Sequence, residues 1–140
     1  LFSEIEHAVP LVLVVDPSTS GLRVPALLGY RRDDPFAVRL TFPGILGPDE
    51  KDLTWLLSLE LLEAGLLTAV GDGDVRVVPA SAGAIRLHLR SGAAEAVLEA
   101  PSRRVERFLR ACRQCVRPGE EETGYDWDGA WADLLRRECS

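Results

Sequence analysis

The stretch from Trp55 to Pro79 limits the fold more than any other part of the chain. It passes from an apolar segment, Trp55 to Val70, through Gly71-Asp72-Gly73-Asp74, into Val75-Arg76-Val77-Val78-Pro79. Leu57, Leu61, Leu62 and Ala64 ahead of Gly65 predict a helix, since such side chains lose little freedom there and glycine stops it. Gly71 to Asp74 predicts a turn, because glycine supplies positive φ and aspartate bonds its own local backbone. Val75, Val77 and Val78 predict a largely buried strand that ends at Pro79. Helix and strand must then pack on a common core. Lys51 to Ser58 also reads as a strand through Leu53, Trp55 and Leu57, which leaves its boundary with the helix open.

Strands precede and follow this segment. Ile5 to Val15 is nearly continuously apolar, and Asp16 to Gly21 is turn chemistry. Leu22 to Arg31 predicts a second strand, with an edge or a bulge at Pro25. In Phe36 to Phe42, Phe36, Val38, Leu40 and Phe42 alternate with Ala37, Arg39 and Thr41, which places all four on a buried face. Pro43 to Asp49 is a loop that carries Ile45 and Leu46. Ile85 to Arg90 and Ala94 to Ala100 predict two more strands, the first with an apolar face and a face of Arg86, His88 and Arg90. The last third is helical. Val105, Phe108, Leu109, Cys112 and Val116 follow helical spacing over about 102–117, and Trp127, Trp131, Leu134 and Leu135 do so over about 126–138. Runs of strands followed by helices indicate an α+β fold built on antiparallel pairing, with a strand-rich core over 5–100. At 140 residues the simplest expectation is a single domain, 1–140.

Charge and cysteine usage exclude several classes. The net charge of −6 opposes non-specific nucleic-acid binding. Three cysteines, Cys112, Cys115 and Cys139, make no disulfide framework and fit a reducing compartment. Trp55 to Val70 is broken by Glu60, Glu63 and Gly65, so no membrane span is expected, and no signal peptide is recognisable. The chain holds no methionine, which points to a trimmed N-terminus.

Catalytic chemistry finds little to stand on. Cys112-x-x-Cys115 lacks a second ligand pair, and Cys112 lies on the apolar stripe, so both read as structural thiols. Gly71-Asp72-Gly73-Asp74 is followed by a strand rather than a helix, unlike a phosphate loop, and has too few oxygens for a calcium loop. His7 and His88 accompany no nucleophile motif. We therefore expect no enzyme, no cofactor and no metal. The basic helix is the more informative feature. Arg103, Arg104, Arg107, Arg110, Arg113 and Arg117 fall in one segment, and Arg103, Arg107 and Arg110 share a face suited to an anionic partner. The bland reading is the solvated face of an amphipathic helix. Ile45 and Leu46 are a candidate docking knob, or a loop folded back on the core.

Several stretches in order resemble the SsgA-like family of actinobacterial sporulation and cell-division regulators. These are Leu61-Leu62-x-x-Gly65-Leu66 followed by Gly71-x-Gly73-Asp74-Val75-Arg76-Val77-x-Pro79; Val24-Pro25-Ala26-x-x-x-Tyr30 leading to Asp33-Asp34-Pro35-Phe36-Ala37-Val38 and Phe42; and Glu95-Ala96, Leu98-Glu99-Ala100-Pro101 and Phe108-Leu109. Several motifs in the right order are specific where one alone is not. Val78 stands where the family often has Trp, and Leu59-Glu60 where it often has Arg-Asp, as in a divergent paralogue. The resemblance implies a Whirly-like arrangement of two antiparallel β-sheets packed at a steep angle and backed by C-terminal helices. It implies a non-enzymatic regulator of sporulation-associated cell division that acts by protein–protein contacts. Such a regulator would help to position the tubulin-like protein FtsZ, interact with sister proteins, and work as a homo-oligomer, a trimer, in the cytoplasm at the division septum. The contact residues would be sought among Arg103, Arg104, Arg107, Arg110, Arg113, Ile45 and Leu46. The alternative is a single-stranded nucleic-acid binder of the same fold. Its stacking aromatics are poorly supplied by a chain with 6% aromatic residues.

Overall fold

The computed structural model describes residues 4–14, 21–44, 52–81, 83–117 and 119. Seven strands and two helices follow in chain order: β1 Glu4–Leu13, β2 Leu22–Arg31, β3 Asp34–Phe42, β4 Leu53–Ser58, α1 Leu59–Gly65, β5 Val75–Ala80, β6 Ala84–Ser91, β7 Ala94–Pro101 and α2 Ser102–Cys115. This is the α+β class that the pattern predicts. All strand pairs are antiparallel. Residues 45 and 46 and the helix expected over 126–138 lie outside the described residues.

Hydrogen bonding joins all seven strands into one sheet, ordered β4-β3-β2-β1-β7-β6-β5, where two separate sheets were expected. Among the described residues, β1 and β7 pair at Val12–Glu99 and Leu13–Leu98, and the Val14 N–H just beyond β1 donates to the Val97 carbonyl at 2.8 Å, while β1 and β2 pair along their whole length. A flat sheet of this order would set β4 and β5 about 29 Å apart at the usual strand spacing. Yet α1, about 10 Å long, packs against β3, β4 and β5 together. The sheet therefore bends back at the β1–β7 join until its two ends share one helix.

Local chemistry explains the elements. Ser58 settles the open boundary: its Oγ accepts the Leu61 N–H at 3.2 Å and caps α1. Leu57 thus lies in β4, buried and paired with Val38, and is not in the helix. Pro25 sits opposite Pro10, so neither residue donates to the β1–β2 ladder. The β2–β3 ladder begins only at Leu27, so among the described residues Pro25 has no neighbour on the other side of its strand. The bulge in β2–β3 lies elsewhere. Tyr30 faces Val38 but Arg31 faces Asp34, so Pro35, Phe36 and Ala37 are accommodated as extra length. The Tyr30 hydroxyl donates to the Pro35 carbonyl at 3.1 Å across this bulge. The broken alternation puts Pro35 inside and leaves Phe36 47% exposed, contrary to its expected place on the buried face.

The core is a cluster spanning both halves of the sheet, from Tyr30, Val38, Leu40 and Leu57 to Val77, Ile85, Leu87 and Leu98, with Leu59 and Leu62 from α1 and Phe108 and Leu109 from α2. Gly65 is not the left-handed cap its position suggested, because Leu66 ends α1 in right-handed helical backbone. Its role is close approach: a Cβ there would lie 2.2 Å from Val77 Cγ1. Gly65→Ala gains about 1 kcal/mol in helix propensity, but overpacking of this kind costs about 1–3 kcal/mol. We expect net destabilisation of up to about 2 kcal/mol in urea melts, and Val77→Ala to cost less in the Gly65→Ala chain than in the parent. A Gly65→Ala protein more stable than its parent would contradict the packing described.

Candidate functional site

The basic helix rests on the bent sheet. α2 buries Val105, Phe108, Leu109 and Cys112 against β1, β7 and β6, and Val116 just beyond it is buried as well. The His7 ring meets Phe108 edge-on at 5.4 Å between centroids. Pro101 offers no side-chain cap at the N-terminus of α2, but the Ser102 N–H donates to the Gly83 carbonyl at 2.9 Å. The arginines occupy the other side, as their spacing predicts. Arg103, Arg104, Arg107, Arg110 and Arg117 are exposed.

The structure divides this set. Arg113 is half-buried and forms a two-pronged ion pair with Glu63 of α1, its Nε donating to Oε2 at 2.8 Å. It joins the two helices, so its guanidinium is engaged by Glu63. Arg104 Nη1 donates to the Ala8 carbonyl at 3.3 Å and leans on β1. Arg103, Arg107, Arg110 and Arg117 form no ion pair among the described residues. Glu106 is the only acidic residue of the helix. The result is an exposed guanidinium surface on a rigid support.

Of the two cysteines of α2, Cys112 is held inert by its position. Burial, aided by Cys115 and Glu63, pushes the Cys112 thiol up to about 12 against the opposing charge of Arg113, so it stays protonated. Cys115 is a half-buried free thiol. Among the described residues, no group of three or more His, Cys, Asp or Glu side chains is placed to hold a metal ion, and no helix is long and apolar enough to cross a membrane.

A second feature arises from residues that looked unrelated in sequence. The Gly71–Asp74 turn, with Gly71 at φ 94°, closes one end of an open cleft of about 380 Å³ that Arg76, His88, Arg90 and Glu95 also line. Arg76 lies directly opposite His88, and Arg90 opposite Glu95. His88 Nδ1 stands 3.7 Å from Glu95 Oε1. The alternation of β6 predicts a polar face, but only the strand register shows what meets it. Arg86 on the same face is paired with Glu99 at 2.9 Å.

Comparison with known proteins gives a consistent picture. The family model described as Streptomyces sporulation and cell division protein, SsgA, matches residues 24–121. The chain is 41% identical over 128 residues to the sporulation-specific cell division protein SsgB of Streptomyces coelicolor, covering 89% of this chain and 90% of that protein. It is 38% identical over 123 residues to SsgB of Kineococcus radiotolerans, covering 84% and 72%. Among solved structures it resembles one reported under "Mutations in SsgB correlate to longitudinal cell division during sporulation of Streptomyces coelicolor", with TM-score 0.79 and 37% identity over 88% of this chain and 96% of that one. It also resembles an SsgA-like sporulation-specific cell division protein from Thermobifida fusca, with TM-score 0.79 and 30% identity over 94% and 96%.

The Glu63–Arg113 pair generates a direct expectation. In a double-mutant cycle of Glu63→Gln and Arg113→Gln, the coupling energy should be about 1 kcal/mol, the upper range for a partly exposed pair. Zero coupling would show that the two helices are held by apolar contact alone.

Proposed function

This chain belongs to the SsgA family of sporulation and cell division proteins, and from that premise we propose that it serves sporulation-associated cell division as a non-enzymatic regulator acting through protein–protein contacts. In this reading it helps to position the division machinery, FtsZ, at septum sites and offers the outer face of α2 as its contact surface. The supporting observation is the guanidinium face itself. Ser102–Cys115 holds five arginines and one glutamate in a chain of net charge −6. Charge concentrated against the sign of the whole molecule steers an acidic partner to one orientation. Arg103, Arg107 and Arg110 are the working contacts; Arg113 supports them from behind through Glu63.

The finer expectations belong to the same proposal. The protein works as a homo-oligomer, a trimer, alongside sister proteins of the family, in the cytoplasm at the septum. The four-stranded and three-stranded halves of its bent sheet play the part of the two crossed layers of a Whirly-like fold. The nucleic-acid alternative gains nothing from α2. Its one aromatic residue, Phe108, is fully buried, so the basic face carries no stacking platform.

Co-sedimentation with FtsZ polymers at near-physiological salt tests the proposal. We expect saturable pelleting, weakened about tenfold by Arg107→Glu with Arg110→Glu and weakened also by added salt, as for steered contacts between exposed charges. Pelleting indifferent to both arginines would remove α2 as the contact, and no pelleting at all would remove direct recruitment.

A further inference from the structure

We propose that the cleft between the Gly71–Asp74 turn and the outer face of β5, β6 and β7 binds a small phosphate monoester that carries hydroxyl groups, a sugar phosphate. The inference goes beyond the reading of α2 and does not depend on it. Arg76, His88 and Arg90 alternate with the buried Val77, Leu87 and Leu89, which share their core with α2, so the cleft lies on the other side of the sheet from that helix.

The strand register gathers the basic groups. Arg76 of β5 stands directly opposite His88 of β6. Arg90, two residues along β6, is on the same face and diagonal to Arg76. Such diagonal neighbours are rooted about 7–8 Å apart, within the reach of two arginine side chains on one ligand. Two basic side chains directly opposite each other repel when both are charged, and an oxyanion between them removes that repulsion. The planar fork of a guanidinium matches the paired oxygens of a phosphoryl group. His88 turns Nδ1 toward Glu95 Oε1, 3.7 Å away, which leaves Nε2 for the ligand.

The acidic lining selects among anions. Asp72 and Asp74 line the cleft on the side of the turn, and Glu95 on the side of β7, where it lies opposite Arg90. Three carboxylates offset the two guanidiniums and the histidine, so a polyanion gains little there: it would meet acidic groups on both flanks. One phosphoryl group centred on the arginines, with hydroxyls donating to Asp72 and Asp74, satisfies both signs of charge. The lining holds no aromatic or aliphatic residue, which argues against a stacked base or an acyl chain. A volume of about 380 Å³ suits a small ligand.

The turn is a wall already in place. Val70 and Val77 exchange both backbone hydrogen bonds at 2.9 Å ahead of it, and the Arg90 N–H donates to the Asp74 carbonyl at 2.8 Å behind it. Gly71, at φ 94°, presses on β5 so closely that a Cβ would lie 2.5 Å from the Val75 carbonyl oxygen. A wall held at both ends loses little freedom when a ligand binds. Strand side chains hold the phosphoryl group here, so the site does not need the helix that follows the turn in a phosphate loop.

The test is an NMR titration of the isotope-labelled full chain, without FtsZ, with ribose 5-phosphate, inorganic phosphate and ribose in parallel. We expect ribose 5-phosphate to shift the Nε–Hε resonances of Arg76 and Arg90 and the amides of Gly71 to Asp74 saturably, while the resonances of Arg107 and Arg110 stay in place. It should bind about 5- to 20-fold more tightly than inorganic phosphate, about fivefold for each net hydrogen bond that its hydroxyls add. Ribose alone should not bind. Arg76→Gln with Arg90→Gln, both at exposed positions, should weaken ribose 5-phosphate about tenfold or more, and Asp72→Ala with Asp74→Ala should remove its advantage over inorganic phosphate. Absence of saturation at millimolar concentrations, shifts shared equally with Arg107 and Arg110, or undiminished binding by the arginine variant would overturn the site. Equal affinity for inorganic phosphate, or tighter binding of a phosphoserine peptide, would overturn the assignment of its ligand.

Discussion

The approach of α1 to β5 at Gly65 is the constraint on which the rest of the structure depends. Among the described residues, the two halves of the sheet are joined at β1–β7 by two residue pairs and the Val14–Val97 hydrogen bond, far fewer than the ten pairs of β1–β2. Gly65 against Val77 brings the start of one half and the end of the other onto the same helix, and no larger residue leaves room for that contact. Once the ends meet, Leu59 and Leu62 fill the space between them, and the buried faces of both halves form one core. α2 then lies across β1, β7 and β6, directly behind the narrow join. A seven-residue helix thus closes the fold, and a fourteen-residue helix braces its weakest ladder.

That bracing fixes what α2 can present. Its apolar stripe is fully committed to the sheet, with Phe108 completely buried, so the helix cannot rotate without opening the core. The Glu63–Arg113 pair adds a directional contact between the two helices. What remains outside is a row of guanidiniums at fixed separations. A flexible basic tail attracts any anion, but a row on a braced helix demands a partner whose carboxylates are matched to it. This is the physical basis for reading the surface as a protein contact.

The alternation and turn residues made much of this legible. β2 was readable to its ends because Leu22 follows turn chemistry and Arg31 precedes another turn, and β6 was readable from Ile85, Leu87 and Leu89. Helical spacing showed both faces of α2. What stayed hidden was everything that depends on partners distant in sequence. Phe36 looked buried because nothing local reports the three extra residues that Val38 and Asp34 accommodate opposite Tyr30 and Arg31. Gly65 looked like a stop signal, and only Val77 shows that it is a contact. Arg113 looked like its neighbours until Glu63, fifty positions earlier, was found beside it. The cleft under Gly71–Asp74 likewise needs the pairing of Arg76 with His88 before it can be seen. The β1–β7 join has no sequence signal of its own; the expectation of two sheets came from the family resemblance, and hydrogen bonding joins the seven strands in one sheet.

Other surfaces compete with α2 for the role of contact. β4 is an edge strand without a charged residue or proline, and it exposes Leu53 and Leu56. The charged cleft at β5–β6 is another. Transferred cross-saturation from FtsZ polymers to the isotope-labelled protein separates them in one measurement. The account predicts that saturation reaches the backbone amides of Arg103, Arg107 and Arg110 and spares those of Leu53 to Ser58 and of Arg76 and Arg90. Saturation concentrated on β4 or on the cleft, with α2 unaffected, would contradict it.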